Sequence, residues 1–332
     1  MQVTRRLFLT MVGALLYAVH APAARPAGVL GTGMEGYAYP HPVHYLDLQM
    51  EGEPVRLAYM DVAPAQSANA PVALLLHGRN FFGAYWTDTI DALRNAGYRV
   101  IVPDQIGFGK SSKPDVPHSL HAHARNLRRL LETLEVKRAD LIAHSLGGMM
   151  AMRFTLDHGE LVRRLVLEAP IGLEDYRLAV PYATREELTR EHLQTTQEGF
   201  DRLFHAFVAR WEPRFQTYSD VQAGWLLGPE AYRIARTAAH TWTMAYEQPV
   251  LYELPHLDTP TLLIVGELDR AAIGRNRVSA EVRATMGLMP QLARRAAAAL
   301  PDARLVLLQD VGHIPHLEAT DRFHREVLDF LQ

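Results

Sequence analysis

Cysteine is absent from the 332 residues. That removes thiol nucleophiles, cysteine-ligated zinc, iron–sulfur clusters and disulfide scaffolds together. An excess of charge of one sign is lacking too. The 34 Lys+Arg stand against 37 Asp+Glu, a formal net charge of −3, which leaves no electrostatic footprint for nucleic acid or a polybasic membrane contact. No apolar run reaches the ~20 residues that a bilayer-spanning helix needs, and no internal repeat or low-complexity tract appears. Hydrophobic residues make up 48% of the chain, enough for a sizeable core. Any chemistry therefore falls to Ser, His, Asp, Glu, Lys or a bound group.

The N-terminus reads as an address. Thr4-Arg5-Arg6 precedes an apolar run from Leu7 to Val19, and Ala21-Pro22-Ala23 follows. A basic start, a short apolar stretch and an A-x-A-like site describe an export signal. The Thr-Arg-Arg-x-Phe-Leu arrangement resembles a twin-arginine signal; the alternative is an ordinary export signal that happens to carry paired arginines. Cleavage after Ala23 would leave 309 of the 332 residues, with 32 basic against 37 acidic side chains and a net charge of −5. The mature protein is expected to be periplasmic or secreted, without a stable membrane anchor. A cysteine-free composition suits a compartment that forms disulfides.

Residues 24–42, rich in Gly, Pro and Ala, are expected to be a loose lead-in. Short strand-like runs then begin near His44–Gln49 and Val55–Asp61. Further apolar runs at Val72–Leu76, Tyr98–Val102, Leu141–Ala143 and Leu165–Leu167 each end in polar or Gly/Pro punctuation, as buried parallel strands do. Helix-length stretches around 84–96, 117–134 and 147–158 separate them. This alternation predicts an α/β fold, a mostly parallel sheet with helices on both faces. It stops over 171–256, where Phe200, Leu203, Phe204, Phe207, Val208 and Trp211 fall on one helical face. Strands resume at Thr261–Val265 and Arg304–Leu308, and an amphipathic helix, 318–331, closes the chain. The expected organisation is a core of 43–170 and 257–332 interrupted by a helical cap of 171–256.

Ser145, Asp269 and His313 each lie just after a predicted strand. Ligands in open α/β sheets bind at the carboxyl ends of strands, so the three can converge at one edge. Ser145 stands in Ala143-His144-Ser145-Leu146-Gly147-Gly148. A serine on a sharp strand-to-helix turn needs small residues two positions to either side, and Ala143 and Gly147 satisfy this. The helix N-terminus beyond it offers partial positive charge to an oxyanion. A neutral serine needs a base. His313 would supply it, with Asp269 holding the other ring nitrogen. Glu267, two residues from Asp269, and Glu168, at the end of another strand, are the competing acids. Asp269 is preferred because the acid must reach the histidine from a turn.

The chain resembles the α/β-hydrolases of the capped, single-domain kind. The resemblance is carried by His77-Gly78-Arg79-Asn80, Asp104-Gln-Ile-Gly107-Phe-Gly109-Lys-Ser111, the turn at Ser145, Gly266-Glu-Leu-Asp269 and Gly312-His313, in that order from about 71 to 318. It implies Ser145 as nucleophile, Asp269 as acid and His313 as base. It also implies an oxyanion hole made by the backbone N–H groups of Leu146 and Arg79, a lid formed by the cap inserted after the sixth strand, and no metal or organic cofactor. Asn80, Phe81, Trp86 and His144 are expected near the pocket. The expected partner is a small-molecule substrate and not nucleic acid; the sequence carries no signature of oligomeric state. A small to medium apolar carboxylic ester is the first expectation, because the aromatics after the oxyanion loop and the Trp-bearing lid suggest an apolar, enclosed site. The alternatives use the same triad for lactone opening, amide or iminopeptide cleavage, carbon–carbon hydrolysis or perhydrolysis. A non-catalytic, ligand-binding member is disfavoured because all three positions are filled, and a serine at the turn argues against epoxide hydrolase or dehalogenase chemistry.

Other patterns have blander readings. Gly107-Phe-Gly109-Lys110-Ser111 is no phosphate loop, because Asp104 stands where the first glycine must be. His118, His121 and His123 lack zinc-spaced companions and are expected to be solvated on a helix face. Arg128, Arg129, Lys137 and Arg138 are expected to be a wet surface.

Overall fold

The short apolar runs become strands because both faces of a parallel sheet are covered and every side chain must be apolar. The computed structural model describes residues 28–65 and 70–332; the expected export signal lies outside them. Its strands are β1 (Val43–Met50), β2 (Glu53–Val62), β3 (Val72–Leu76), β4 (Arg99–Pro103), β5 (Ala139–His144), β6 (Val162–Glu168), β7 (Thr261–Gly266) and β8 (Ala303–Leu308). They form an 8-stranded sheet in the order β1-β2-β4-β3-β5-β6-β7-β8. β1 and β2 pair antiparallel, β2 joins β4 antiparallel, and the other pairings are parallel.

The period-two alternation of strands divides the core in two. Leu74, Leu76, Leu141, Ala143, Leu165 and Leu167 face a layer containing α2 (Leu120–Thr133), α3 (Leu146–Asp157) and α9 (Met289–Ala299). Ala73, Leu75, Ile142, Val166, Leu262 and Ile264 face α1 (Thr87–Asn95) and α11 (Thr320–Phe330). The two remaining short helices are α8 (Ala280–Thr285) and α10 (Pro315–Glu318).

Between β6 and β7 lies the helical insertion, with α4 (Arg185–Leu193), α5 (Gln197–His205), α6 (Gln216–Leu226) and α7 (Ala231–Glu247). Thr184 and Glu187 form a reciprocal capping box at the start of α4, which fixes where that helix begins. The helical face expected from Phe200 to Trp211 is cut short, because α5 ends at His205. Tertiary bonds claim the backbone beyond it: the Phe207 carbonyl accepts from His313 N–H, and Ala209 N–H donates to Glu318.

The lead-in corrects the sequence reading more sharply. Residues 28–42 hold no helix or strand, yet they are not loose. Leu30 N–H donates to the Gly224 carbonyl, and Trp225 Nε1 donates to the Gly31 carbonyl. Tyr37 Oη bonds Thr217, and Tyr39 Oη donates to Asp104 at 2.7 Å. The segment is a strap lying across α6.

Candidate active site

Ser145 occupies the turn between β5 and α3 at φ 53° and ψ −117°. A non-glycine residue there stores about 1–3 kcal/mol of strain and persists only where its surroundings impose it. Here the imposition is backbone bonding. Ser145 N–H donates to the Glu168 carbonyl, and the Ser145 carbonyl accepts from Met149 and Ile171. Small neighbours are obligatory: a Cβ on Gly147 would stand 2.5 Å from the Leu76 carbonyl oxygen, and one on Gly78 would stand 3.1 Å from Ser145 Cβ. Ala143 is fully buried and fits. The Ser145 hydroxyl does not cap α3, so it is left for another partner.

That partner is His313, whose Nε2 lies 2.9 Å from Ser145 Oγ. His313 Nδ1 lies 2.9 Å from Asp269 Oδ2. A carboxylate only accepts, so Nδ1 carries the proton and the Nε2 lone pair faces the serine hydroxyl. Asp269 Oδ1 is held in turn by Ala271 N–H. All three side chains are buried. The competing acids are elsewhere: Glu267 is exposed, and Glu168 engages His316, not His313. The Glu168 carboxylate accepts from His316 N–H at 2.7 Å and meets its Nδ1 at 2.9 Å. Burial pushes the Glu168 carboxyl up to about 7 and holds the His316 ring well below the usual histidine range.

Two supports behind the serine escaped the sequence reading. His144 Nε2 donates to the His313 carbonyl at 2.8 Å, while its Nδ1 receives the Tyr85 hydroxyl, which itself accepts from Gly78 N–H. Burial keeps this imidazole neutral. The chain Gly78–Tyr85–His144–His313 thus ties the loop after β3 to the backbone of His313. The second support is Glu318. Its carboxylate accepts from Gly312, Ile314 and Ala209, clamping both sides of His313 to the helical insertion. The only sequence signal for Glu318 was an acidic residue just past the Gly-His pair.

Among the described residues, no acceptor takes the backbone N–H of Arg79 or Leu146. These are the two amides expected to face an oxyanion, and Leu146 is the first residue of α3, where helix N–H groups point outward unpaired. A narrow cleft of about 20 Å³ lies beside Arg79, walled by Asn80, Phe108, Gln222, Ile234 and Thr241 among others. Of the four residues expected near the pocket, only Asn80 lines it. Phe81 packs against Tyr85, Phe204 and Tyr218, Trp86 stacks on His316, and His144 is sealed as described. Phe81 thus joins the loop after β3 to the helical insertion. A larger hollow between the β1–β2 hairpin and α2 is lined by Asp47, Arg56, Arg125 and Glu132 and contains none of Ser145, Asp269 and His313.

The histidines of α2 also correct an expectation. His121 is exposed and pairs with Asp157, but His118 and His123 are buried and bond each other at 3.0 Å. They pack under α7, with the His118 ring stacked on His240. No group of three metal-ligating side chains occurs among the described residues. Arg128 and Arg129 lie exposed and pair with Glu132, as expected.

Residues 73–326 match the alpha/beta hydrolase family. The chain belongs to that family. Within it, a crystal structure of a probable hydrolytic enzyme from Pseudomonas aeruginosa is 45% identical, with a TM-score of 0.90 over 92% of this chain and 99% of that one. A 2-hydroxy-6-oxononadienedioate/2-hydroxy-6-oxononatrienedioate hydrolase from Burkholderia vietnamiensis is 27% identical over 87% of this chain and 95% of its own length. A pimeloyl-[acyl-carrier protein] methyl ester esterase from Vibrio atlanticus is 28% identical over 80% and 96%. These alpha/beta hydrolase relatives cleave different bonds on one scaffold, so the bond this chain cleaves has to be argued from its own site.

Proposed function

We propose that the protein is an exported serine hydrolase that cleaves a small to medium carboxylic ester through an acyl-enzyme. The observation that carries this reading is the unbroken hydrogen-bond path from Ser145 Oγ through His313 to Asp269. His313 Nε2 takes the hydroxyl proton as Ser145 attacks the carbonyl carbon, and Asp269 stabilises the imidazolium that results. The oxyanion forms beside the free amides of Arg79 and Leu146; each such donor is worth about 10²–10³ in rate. His313 returns its proton to the leaving alcohol. It then draws one from water, which attacks the acyl carbon, and passes it to Ser145 Oγ as the Oγ–acyl bond breaks and the carboxylic acid leaves. Support for an ester comes from the similarity to the methyl ester esterase over 80% of this chain.

A fluorophosphonate probe should label Ser145, and Ser145→Ala should abolish both labelling and p-nitrophenyl butyrate turnover. A variant that still turns over at the wild-type rate places the chemistry elsewhere. Export is proposed from the Arg5-Arg6 segment alone. Replacing both arginines by lysine should leave the protein in the cytoplasm at its unprocessed mass, and unchanged processing would refute the twin-arginine route.

A further inference from the structure

Arg79 has a side chain that the mechanism above does not use. It follows Gly78 in the loop after β3, where Asn80 turns the chain at φ 70° and the Asn80 carbonyl is fixed by Gln222 of α6. From there the guanidinium crosses to the cap, and Nη2 donates to the Ala238 carbonyl of α7 at 3.3 Å. That is its one hydrogen bond among the described residues. Nε is shielded from solvent and has no partner.

No carboxylate faces this cation. Arg99, Arg153 and Arg163, which are also partly or largely buried, each pair with Asp or Glu, whereas Arg79 forms no ion pair among the described residues. Its neighbours along the cleft are neutral: Asn80, Gln222, Thr241 and His192. His192 is held uncharged by burial and by the Arg79 charge, which push its ring down to about 3. Burial lowers the guanidinium only to about 10, so it is cationic at neutral pH. A guanidinium presents five donors in a planar fork suited to a carboxylate. Here one is engaged, and the rest stand beside the cleft, one residue from the glycine packed against Ser145.

We propose that Arg79 binds a free carboxylate on the substrate, making the preferred substrate a half-ester of a short dicarboxylic acid or a similar ester carrying one carboxylate near the scissile bond. This rests on the ester reading above and adds a charge to its substrate. The backbone N–H of Arg79 and its side chain then serve one molecule at two points, the oxyanion and the distal carboxylate.

The test compares mono-p-nitrophenyl glutarate with p-nitrophenyl valerate, which matches it in chain length without the charge. Wild-type protein should favour the glutarate ester at least tenfold in kcat/KM. Arg79→Gln keeps a donor for the Ala238 carbonyl but removes the charge. It should lower the glutarate-to-valerate ratio by 30-fold or more, mainly through KM, and Arg79→Lys should recover part of it. If Arg79 only ties the loop to α7, both esters fall together and the ratio stays, which overturns the proposal. So does a wild-type preference for the valerate ester. Binding is read separately in Ser145→Ala, which needs no turnover: millimolar glutarate should raise its melting temperature, and the added Arg79→Gln should abolish the rise. Valerate ester cleavage with no Arg79-dependent glutarate shift removes the anion site and leaves the hydrolase standing. An Arg79-dependent shift in a wild type that cleaves neither ester does the reverse.

Discussion

Glu318 offers the sharpest test of how His313 is held. Its Oε2 accepts from Gly312 at 3.0 Å and from Ala209 at 2.7 Å, and its Oε1 accepts from Ile314 at 3.0 Å. Glu318→Ala strands all three donors. Ala209 is at the surface and can turn to water, but Gly312 and Ile314 are partly enclosed, and each lost partner costs about 1–3 kcal/mol. Removing a carboxylate whose own burial is unfavourable (it holds the carboxyl above the usual range) returns part of that. The expected net loss is about 2–4 kcal/mol, or a fall in melting temperature of roughly 3–6 °C at this chain length. Glu318→Gln should lie between. One oxygen survives, while the new amide group points N–H at N–H on the other side. Because the clamp flanks His313, kcat should fall with stability, by about tenfold or more, since small displacements of a base are costly. Urea unfolding and p-nitrophenyl butyrate kinetics on the three proteins decide the matter. If Glu318→Ala matches wild type in stability, or loses stability with kcat intact, the clamp does not position His313.

Three further outcomes follow from the geometry. Asp269→Asn should cut kcat by about 10⁴ with the fold intact, because the base loses the partner that fixes its tautomer; a loss below tenfold would shift the acid role to Glu168. Gly78→Ala places a Cβ 2.6 Å from His144 Nδ1. It should therefore break the Tyr85–His144 bond and lower both stability and kcat, and a wild-type variant would show that the bond is dispensable. The folded chain keeps a proton on Glu168 up to about pH 7, whereas an unfolded Glu releases it near 4.5. Stability therefore declines as pH rises through that window, by up to about 3 kcal/mol. Relative to wild type, Glu168→Gln should become steadily more stable between pH 5 and 8, and a constant difference in urea unfolding would refute the assignment.

Much of this molecule was legible in order along the chain. The strands stood out because parallel strands sealed on both faces are built on apolar runs, as in Val72–Leu76 of β3 and Leu262–Val265 of β7. Ser145, Asp269 and His313 stood out because each ends such a run, and the structure brings their side chains together. The illegible parts depend on partners distant in sequence. Nothing near His205 says that α5 must end there; the reason is His313 and Glu318 claiming the next residues. The burial of His118 and His123 comes from α7, more than a hundred residues onward. A Gly/Pro-rich lead-in looked loose because its bonds are made partly by backbone groups, which leave no mark in side-chain pattern, and partly by Tyr37 and Tyr39, whose partners Thr217 and Asp104 are far along the chain.

The strap over the cap has a consequence for traffic into the site. Lys113 marks the crossing point: its ammonium group bonds the carbonyls of Thr32, Gly109 and Ser111 and sits over the Trp225 ring. Strap, loop and α6 therefore meet at one cation, and α6 cannot swing outward without breaking contacts that the first described residues make with it. This side of α6 is stitched down from the outside. Because Gln222 and Trp225 of α6 also wall the cleft beside Arg79, loosening the seam at Leu30 and Lys113 should free that wall to move while leaving the serine alone.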